Sequence, residues 1–295
     1  MRQYRTKREM LAFVLVLAAI LVVSLGSWWK TTVDLNGGEP ADPFRIAGNF
    51  YYVGTSATAV FLITGPEGHV LLDGGFPGTA PLIRASMTTL GFNITDVKVL
   101  LNSIPRRDHA GGLAALQQAS GARLWASEWS AGVIASGGDD PDIALPFRTL
   151  VQIGILGFPS ARVDRRFNDG DTIRVGPIAL TAHVTGGTTR GCTSWSFPVR
   201  DGERVLNVVS ACPLGGVTVG MRYPEQRADI ERSLRVLRSL PADIWVTSSS
   251  RSWDRYRKFV ASKTAQNPVD AFIDPEGYRA YIDTAEAEFR QGKVH

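Results

Sequence analysis

The chain has 295 residues, 44% of them hydrophobic and 20% charged, which excludes a disordered, collagen-like or low-complexity protein. This length is enough for one large or two ordinary domains with a hydrophobic core. Its 32 basic and 28 acidic residues give a net charge of +4, and residues 1–30 hold five of the basic residues and only one acidic residue. The rest of the chain is therefore neutral. A nucleic-acid-binding protein would have a basic body, so we expect no nucleic-acid partner.

The segment from Met10 to Trp29 contains no charged residue and follows a short basic stretch. A helix of about 20 residues spans the ~30 Å hydrocarbon layer of a bilayer, and a basic flank stays in the cytoplasm. We therefore expect residues 10–29 to contact the membrane and the body to be exported, to the periplasm or the cell exterior. Residues 1–30 are predicted to be a basic flank plus a transmembrane anchor, and residues 31–43 a linker. The alternative is a signal peptide that is cleaved, which releases a secreted body.

The elements of the body alternate between strands and helices. Apolar runs predict strands near residues 49–54, 59–64 and 69–75, followed by a helix over 80–91, a strand over 97–102, a helix over 110–121 and a strand over 122–127. Residues 136–160 give few signals and are predicted to be partly loop. Strands follow at 172–175, 178–184 and 243–250, and helices at 228–240, 255–262 and 278–290. This order predicts an α/β sandwich of two sheets with helices outside.

Cys192 and Cys212 flank an alternating sequence that is typical of a hairpin. A turn over residues 201–203 pairs Arg200 with Arg204 and places the two cysteines directly opposite each other. This geometry permits a disulfide, which suits an oxidising compartment. The alternative is a pair of buried free thiols in a core strand.

Four segments, in this order, resemble the metallo-β-lactamase fold family, and most of all the class B metallo-β-lactamases of the third subclass. They are LLDGGFPGTAPLIRASMTTLGF, NSIPRRDHAGG, LTAHVTGGTTRGCTSW and NPVDAFIDPEGYRAYI. The resemblance implies a four-layer αββα sandwich over residues 44–295, preceded by one N-terminal hydrophobic helix.

Members of that family hold one or two zinc ions with histidine and aspartate side chains, and the metal lowers the pKa of a bound water to about 7. The resemblance implies that four ligand positions are replaced in this chain, by Ile104, Arg106, Thr188 and Ser249. Asp108 and His109 remain, and two ligands hold zinc poorly. Arg106 also adds a permanent positive charge to the site. Asp108 has a second interpretation, as the N-cap of the following helix, and Asp73 is expected to support the site loop.

Four arginines lie on, or next to, the loops that meet at the pocket of the family: Arg106, Arg107, Arg190 and Arg251. A cleft that contains guanidinium groups and no metal suits an anion such as a carboxylate or a phosphate. The alternative is that these arginines pair with nearby acidic side chains or face solvent.

The sequence thus predicts an exported, membrane-anchored protein of metallo-β-lactamase fold with a degenerate zinc site. We expect it to be inactive or weakened as a hydrolase, a pseudoenzyme with a binding or structural role and no cofactor. One alternative is a metallo-hydrolase in which Asp108 and His109 still bind zinc. A further alternative is an anion-binding module. The small-molecule ligand and the oligomeric state do not follow from the sequence.

Overall fold

A computed structural model describes residues 12–22, 24, 37–214, 222–249 and 252–292. Seven strands form the first sheet in chain order. They are β1 (Phe44–Ala47), β2 (Phe50–Tyr52), β3 (Phe61–Ile63), β4 (His69–Leu72), β5 (Val97–Leu101), β6 (Arg123–Ser127) and β7 (Val163–Phe167). The pairs from β1 to β4 are antiparallel and those from β4 to β7 are parallel. The carboxyl ends of β4 and β5 therefore lie at one edge of this sheet.

The second sheet has five strands in the order β12-β11-β10-β9-β8. They are β8 (Thr172–Val175), β9 (Ile178–Val184), β10 (Thr193–Asp201), β11 (Arg204–Ala211) and β12 (Ile244–Thr247). All pairs are antiparallel except β11 with β12. The alternation of Ile178, Leu180 and Ala182 along β9 turns one face of this sheet towards the core.

Helices cover the outer faces of both sheets. The first, α1, spans residues 12–22. The others are α2 (Ala80–Thr89), α3 (Arg107–Ala110), α4 (Leu113–Ser120), α5 (Glu128–Ala135), α6 (Phe147–Gln152), α7 (Gln226–Ser239), α8 (Arg255–Ser262) and α9 (Pro275–Arg290). Apolar side chains of α2, α4 and α5 pack on the first sheet, and those of α7 and α9 belong to the core of the second. The predicted four-layer αββα sandwich is confirmed.

Aromatic side chains fill the space between the sheets. The ring of Phe50 lies 5.2 Å from that of Phe61 and 5.2 Å from that of Phe197, and the Phe167 ring lies 5.1 Å from that of Trp195. All five side chains are buried. Burying a Phe side chain stabilises a fold by about 1.5–3 kcal/mol, so this cluster is a rigid base for the loops at the sheet edge.

The N-terminal hydrophobic helix is present as α1. Apart from residues 12–22 and 24, the predicted membrane segment 10–29 lies outside the described residues. Among the residues that the structure describes, no helix combines the length and the apolar character needed to cross a bilayer.

The β10–β11 hairpin differs from the predicted register by one residue. Asp201 pairs with Arg204, and Arg200 pairs with Val205, so the predicted pairing of Arg200 with Arg204 was wrong. The loop consists of Gly202 and the residue after it, and Gly202 has φ +62°. Two-residue hairpin loops favour such a left-handed residue because its twist matches that of the strands.

Candidate functional site

Asp73 organises the site at the carboxyl ends of β4 and β5. It directly follows β4, with φ +68°, a conformation that aspartate tolerates better than most residues. Its Oδ1 accepts hydrogen bonds from the Ser103 amide at 2.7 Å and from Asn102 Nδ2 at 3.3 Å. Its own amide donates to the Leu101 carbonyl at 2.9 Å. The buried Asp73 side chain therefore fixes the loop that begins at Asn102, in agreement with its expected supporting position.

His109 lies buried between two carboxylates. Its Nε2 is 3.2 Å from Asp108 Oδ2, and its Nδ1 is 3.6 Å from Asp73 Oδ2. Burial alone would lower the pKa of His109, but the two carboxylates outweigh it and raise the pKa to about 9. His109 is therefore an imidazolium at neutral pH. An imidazolium has a proton on both ring nitrogens and offers no lone pair to a metal.

Asp108 faces a second cation, Arg106. The Arg106 Nε and Nη2 atoms lie 3.3 Å from the two carboxylate oxygens of Asp108. Burial would raise the pKa of Asp108, but His109 and Arg106 together hold it well below its usual range. The interpretation of Asp108 as an N-cap was wrong, since neither α3 nor α4 begins with a side-chain cap and Asp108 lies within α3.

Three of the positions that the resemblance gives as replaced ligands make contacts within the fold. Ile104 is buried and forms an apolar cluster with Cys192 and Cys212. Thr188, which is half-buried, donates its hydroxyl proton to the Pro213 carbonyl at 2.8 Å. The backbone carbonyl of Ser249 accepts a hydrogen bond from Thr247 Oγ1 at 2.8 Å. Residues 104, 188 and 249 thus serve packing and loop structure.

A disulfide joins Cys192 and Cys212, with their Cα atoms 5.9 Å apart. Cys192 precedes β10 and Cys212 follows β11, so the bond lies at the open end of the hairpin. The Cys212 amide donates to Ser194 Oγ at 2.9 Å. The disulfide ties the second sheet to the Ile104 loop, because the Ile104 side chain packs on it.

The predicted anion-binding arginines are engaged with the protein where the structure describes them. Arg107 donates a hydrogen bond to the Gly157 carbonyl. Arg190 pairs with Asp142 at 2.8 Å and with Glu225 at 2.6 Å, and its guanidinium lies 4.3 Å from the Tyr223 ring centroid. Arg251 lies outside the described residues. Arg106 and Arg107 are close together, whereas Arg190 bridges neighbouring loops.

A cavity of about 330 Å³ opens beside the salt bridges. Arg106, Arg107 and Asp108 contribute charged groups to its lining. The apolar part of the lining, called here the apolar wall, is formed by Phe76, Ile143, Phe147, Val151, Leu156 and Phe158. Residues 136–160, predicted to be partly loop, therefore supply α6 and most of that wall. The density of apolar residues between Ile143 and Phe158 is the signal that could have identified it.

Asp140 also lines the cavity and is buried. Its carboxylate accepts hydrogen bonds from the Asp142 amide at 3.0 Å and from Trp129 Nε1 at 3.3 Å. Burial nevertheless raises the pKa of Asp140 above its ordinary value. The cavity thus combines two guanidinium groups, two carboxyl groups and an apolar wall.

The donor set does not fit the zinc site that the resemblance implies. Within the described part of the chain, no three His, Cys, Asp or Glu side chains are grouped so that they could hold a metal ion. Of the two remaining candidate ligands, His109 lies between the carboxylates of Asp73 and Asp108, and Asp108 is paired with Arg106. A metal at this place would have to break both arrangements.

Comparison with known proteins locates this chain among metallo-β-lactamases. The sequence model of the metallo-β-lactamase superfamily matches residues 53–202. The solved structure of the Rm3 metallo-β-lactamase is 37% identical, with a TM-score of 0.80 and coverage of 88% of this chain and 96% of that one. MEM-A1, a subclass B3 metallo-β-lactamase from a soil metagenome library, is 32% identical, with a TM-score of 0.77 and coverage of 86% and 96%. A Cronobacter sakazakii metallo-β-lactamase with a HARLDQ motif is 33% identical, with a TM-score of 0.78 and coverage of 86% and 95%.

Proposed function

Because the chain belongs to the metallo-β-lactamase superfamily, we propose that it is an exported, membrane-anchored member that binds a ligand in its cleft instead of hydrolysing one with zinc. The observation that carries this proposal is the position of His109 between Asp73 and Asp108, with Arg106 on the far side of Asp108. The family is typically zinc-dependent. Here Arg106 and His109, and not a metal, lie beside the carboxylates of Asp108 and Asp73.

The charges of the site explain why zinc is disfavoured. Asp73 and Asp108 contribute two negative charges, and Arg106 and His109 contribute two positive charges. Two unit charges of like sign about 4 Å apart repel by about 4 kcal/mol at an effective dielectric constant of 20, and a dication doubles that value. Zinc binding would therefore require displacement of Arg106 and loss of the His109 proton.

Export and anchoring are supported by the N-terminal sequence and by the cysteines. The uncharged segment 10–29 follows a basic flank, which favours a cytoplasmic N-terminus and an exported body. Paired cysteines such as Cys192 and Cys212 are typical of oxidising compartments. The alternative of a cleaved signal peptide also exports the body.

The cleft supports a binding role. Its lining combines Arg106 and Arg107 with apolar side chains. Guanidinium groups bind carboxylates and phosphates in two-point hydrogen bonds, and an apolar wall buries a hydrophobic group. The ligand class that this cleft suits is a small anion with a hydrophobic body. Such an anion would compete with Asp108 for Arg106 and with the Gly157 carbonyl for Arg107.

A second candidate function is a metallo-hydrolase, and one relative favours it. The HARLDQ motif named for the Cronobacter sakazakii metallo-β-lactamase can be set position by position beside residues 104–109 of this chain, IPRRDH. Both motifs have arginine in the third position and aspartate in the fifth. The relative has histidine in the first position, however, where this chain has the buried Ile104.

The two candidates are separated by measuring zinc and turnover on one preparation. The full chain, purified in a mild detergent and incubated with zinc, is assayed for bound metal by elemental analysis and for hydrolysis of a chromogenic cephalosporin. We expect substoichiometric zinc and no zinc-dependent turnover. Stoichiometric zinc together with turnover that Asp108→Ala abolishes would contradict the proposal and support the hydrolase. Val205→Ala, at an exposed site of the remote hairpin, is the matched control.

A further inference from the structure

Large apolar side chains are exposed around α6. Leu145 is 74% exposed, Ile153 62% and Ile155 60%, and Phe147 and Leu156 are also exposed. We call these five side chains the apolar rim. Outside α1, the other exposed large apolar side chains of the described residues are three: Val205, Tyr256 and Val260. The exposed apolar surface of the body is therefore concentrated within twelve residues, and such patches mark interaction surfaces.

The apolar rim is held in place by polar contacts at its base. Arg148 pairs with Asp139 at 2.6 Å, and Arg107 donates a hydrogen bond to the Gly157 carbonyl. Phe147 and Leu156 contribute to the cavity wall while part of each side chain remains exposed. The rim is thus a fixed border of the cavity.

The chain enters the body beside the same cavity. The Gly37 backbone lies so close to Phe76 and Thr79 that a Cβ at residue 37 would come within 3.1 Å of Phe76. Thr55 Oγ1 donates a hydrogen bond to the Gly37 carbonyl. Phe76 in turn lines the cavity. Residue 37 therefore contacts a side chain of the same cavity to which Phe147 and Leu156 of the apolar rim contribute.

The connection between the proposed anchor and this point is short. Seven residues, 30–36, separate the end of segment 10–29 from Gly37. Seven extended residues reach at most about 25 Å. An anchor in the bilayer therefore keeps Gly37 within about 25 Å of the membrane surface, and the neighbouring Phe76 of the cavity lining close to that distance.

We propose that the apolar rim inserts into the interface of the bilayer that holds the anchor, so that the mouth of the cavity faces the lipid. This inference rests on the proposed membrane anchoring. The tether makes docking intramolecular, so a modest affinity of the rim for lipid is sufficient. Apolar side chains presented on one face are the groups by which interfacial segments enter the headgroup region. The ion pair of Arg148 with Asp139 leaves this segment with little charge to oppose insertion.

The test places a fluorescent probe on the rim of the full chain. Both native cysteines are paired, so Ile155→Cys provides a single reactive thiol for a polarity-sensitive nitrobenzoxadiazole label. Val205→Cys, 52% exposed on the remote hairpin, is the matched control. In phosphatidylcholine–phosphatidylglycerol vesicles, we expect blue-shifted emission at residue 155 and quenching by doxyl-labelled lipids. The label at residue 205 should be quenched by aqueous iodide instead.

Three other outcomes would refute the lipid docking, and one of them would also refute the membrane anchoring. The protein could float with the vesicles while the label at residue 155 is as accessible to iodide as the label at residue 205. That result would refute the insertion of the apolar rim into the bilayer and would leave the proposed membrane anchoring intact. If the protein stays in the aqueous fraction, the proposed anchoring fails and the docking fails with it. If the blue shift at residue 155 is lost in nanodiscs that hold one chain each, a second copy of the chain covers the rim, and the lipid docking is refuted.

Discussion

The charge on His109 should stabilise the fold in a pH-dependent manner. The perturbation is His109→Gln, which keeps a hydrogen-bond donor of similar reach but carries no charge. A pKa raised from 6.5 to about 9 corresponds to about 3 kcal/mol in favour of the protonated folded protein. We therefore expect the substitution to remove about 3 kcal/mol from the free energy of unfolding at pH 6.

The sign of the pH dependence follows from the direction of that pKa shift. Because the pKa of His109 is higher in the folded than in the unfolded chain, its contribution is complete below pH 6.5. It is lost as the pH rises through about 9. The difference in unfolding free energy between the wild-type chain and His109→Gln should therefore decrease as the pH rises from 6.5 to about 9. The pKa of Asp108 is held well below this window by His109 and Arg106, so Asp108 does not contribute to the change.

The assay is urea unfolding of the full chain in a mild nonionic detergent, followed by tryptophan fluorescence from pH 6 to 10. His69→Gln is the control, because His69 begins β4 at the end opposite the site and contacts Phe92. A difference in unfolding free energy between wild type and His109→Gln that stays constant across the pH range would refute the reasoning. It would show that the side chain contributes by packing alone.

Three further predictions concern the surroundings of the site. Ile104→Ala should lower the free energy of unfolding by about 2–4 kcal/mol in the same assay, because it opens a cavity beside the disulfide; a loss below 1 kcal/mol would mean that the loop collapses onto the gap. Cys192→Ser with Cys212→Ser should cost about 2–4 kcal/mol, and a reducing agent should then have no further effect on the variant. Arg190→Met should cost about 1 kcal/mol and speed amide hydrogen exchange in the loop around Asp142, measured by mass spectrometry; unchanged exchange there would show that the ion pair does not hold that loop.

Much of the fold follows from local sequence patterns. The apolar runs before Asp73 and before Asn102 predict β4 and β5, because buried parallel strands are continuously apolar. The predicted helices over 80–91, 228–240 and 278–290 are found as α2, α7 and α9. The strands β1 and β7 were not predicted, because β1 has only four residues and three of the five residues of β7 are charged. Their pairing depends on the neighbouring strand and not on their own pattern.

The sequence predicts part of the site but not its geometry. The assignment of residues 104, 106, 188 and 249 to replaced ligand positions stays a prediction, and the adjacency of Asp108 and His109 is evident from the sequence. The sequence does not show that His109 is held between two carboxylates, because Asp73 lies 36 positions earlier in the chain and meets it only through the fold. The hairpin register failed by one residue because turn length was judged from composition, whereas Gly202 permits the tighter loop.

The apolar cluster of Ile104 with the disulfide would make the ligand set of the zinc-dependent family hard to introduce by single substitutions. A histidine at residue 104 alone would place a polar ring against Cys192 and Cys212 without a metal to satisfy it. A histidine at residue 106 alone would leave Asp108 without its guanidinium partner. Each single step towards the ligand set of the family would therefore cost stability before any ion could bind, because the contacts of Ile104 and of Arg106 stabilise the present loop.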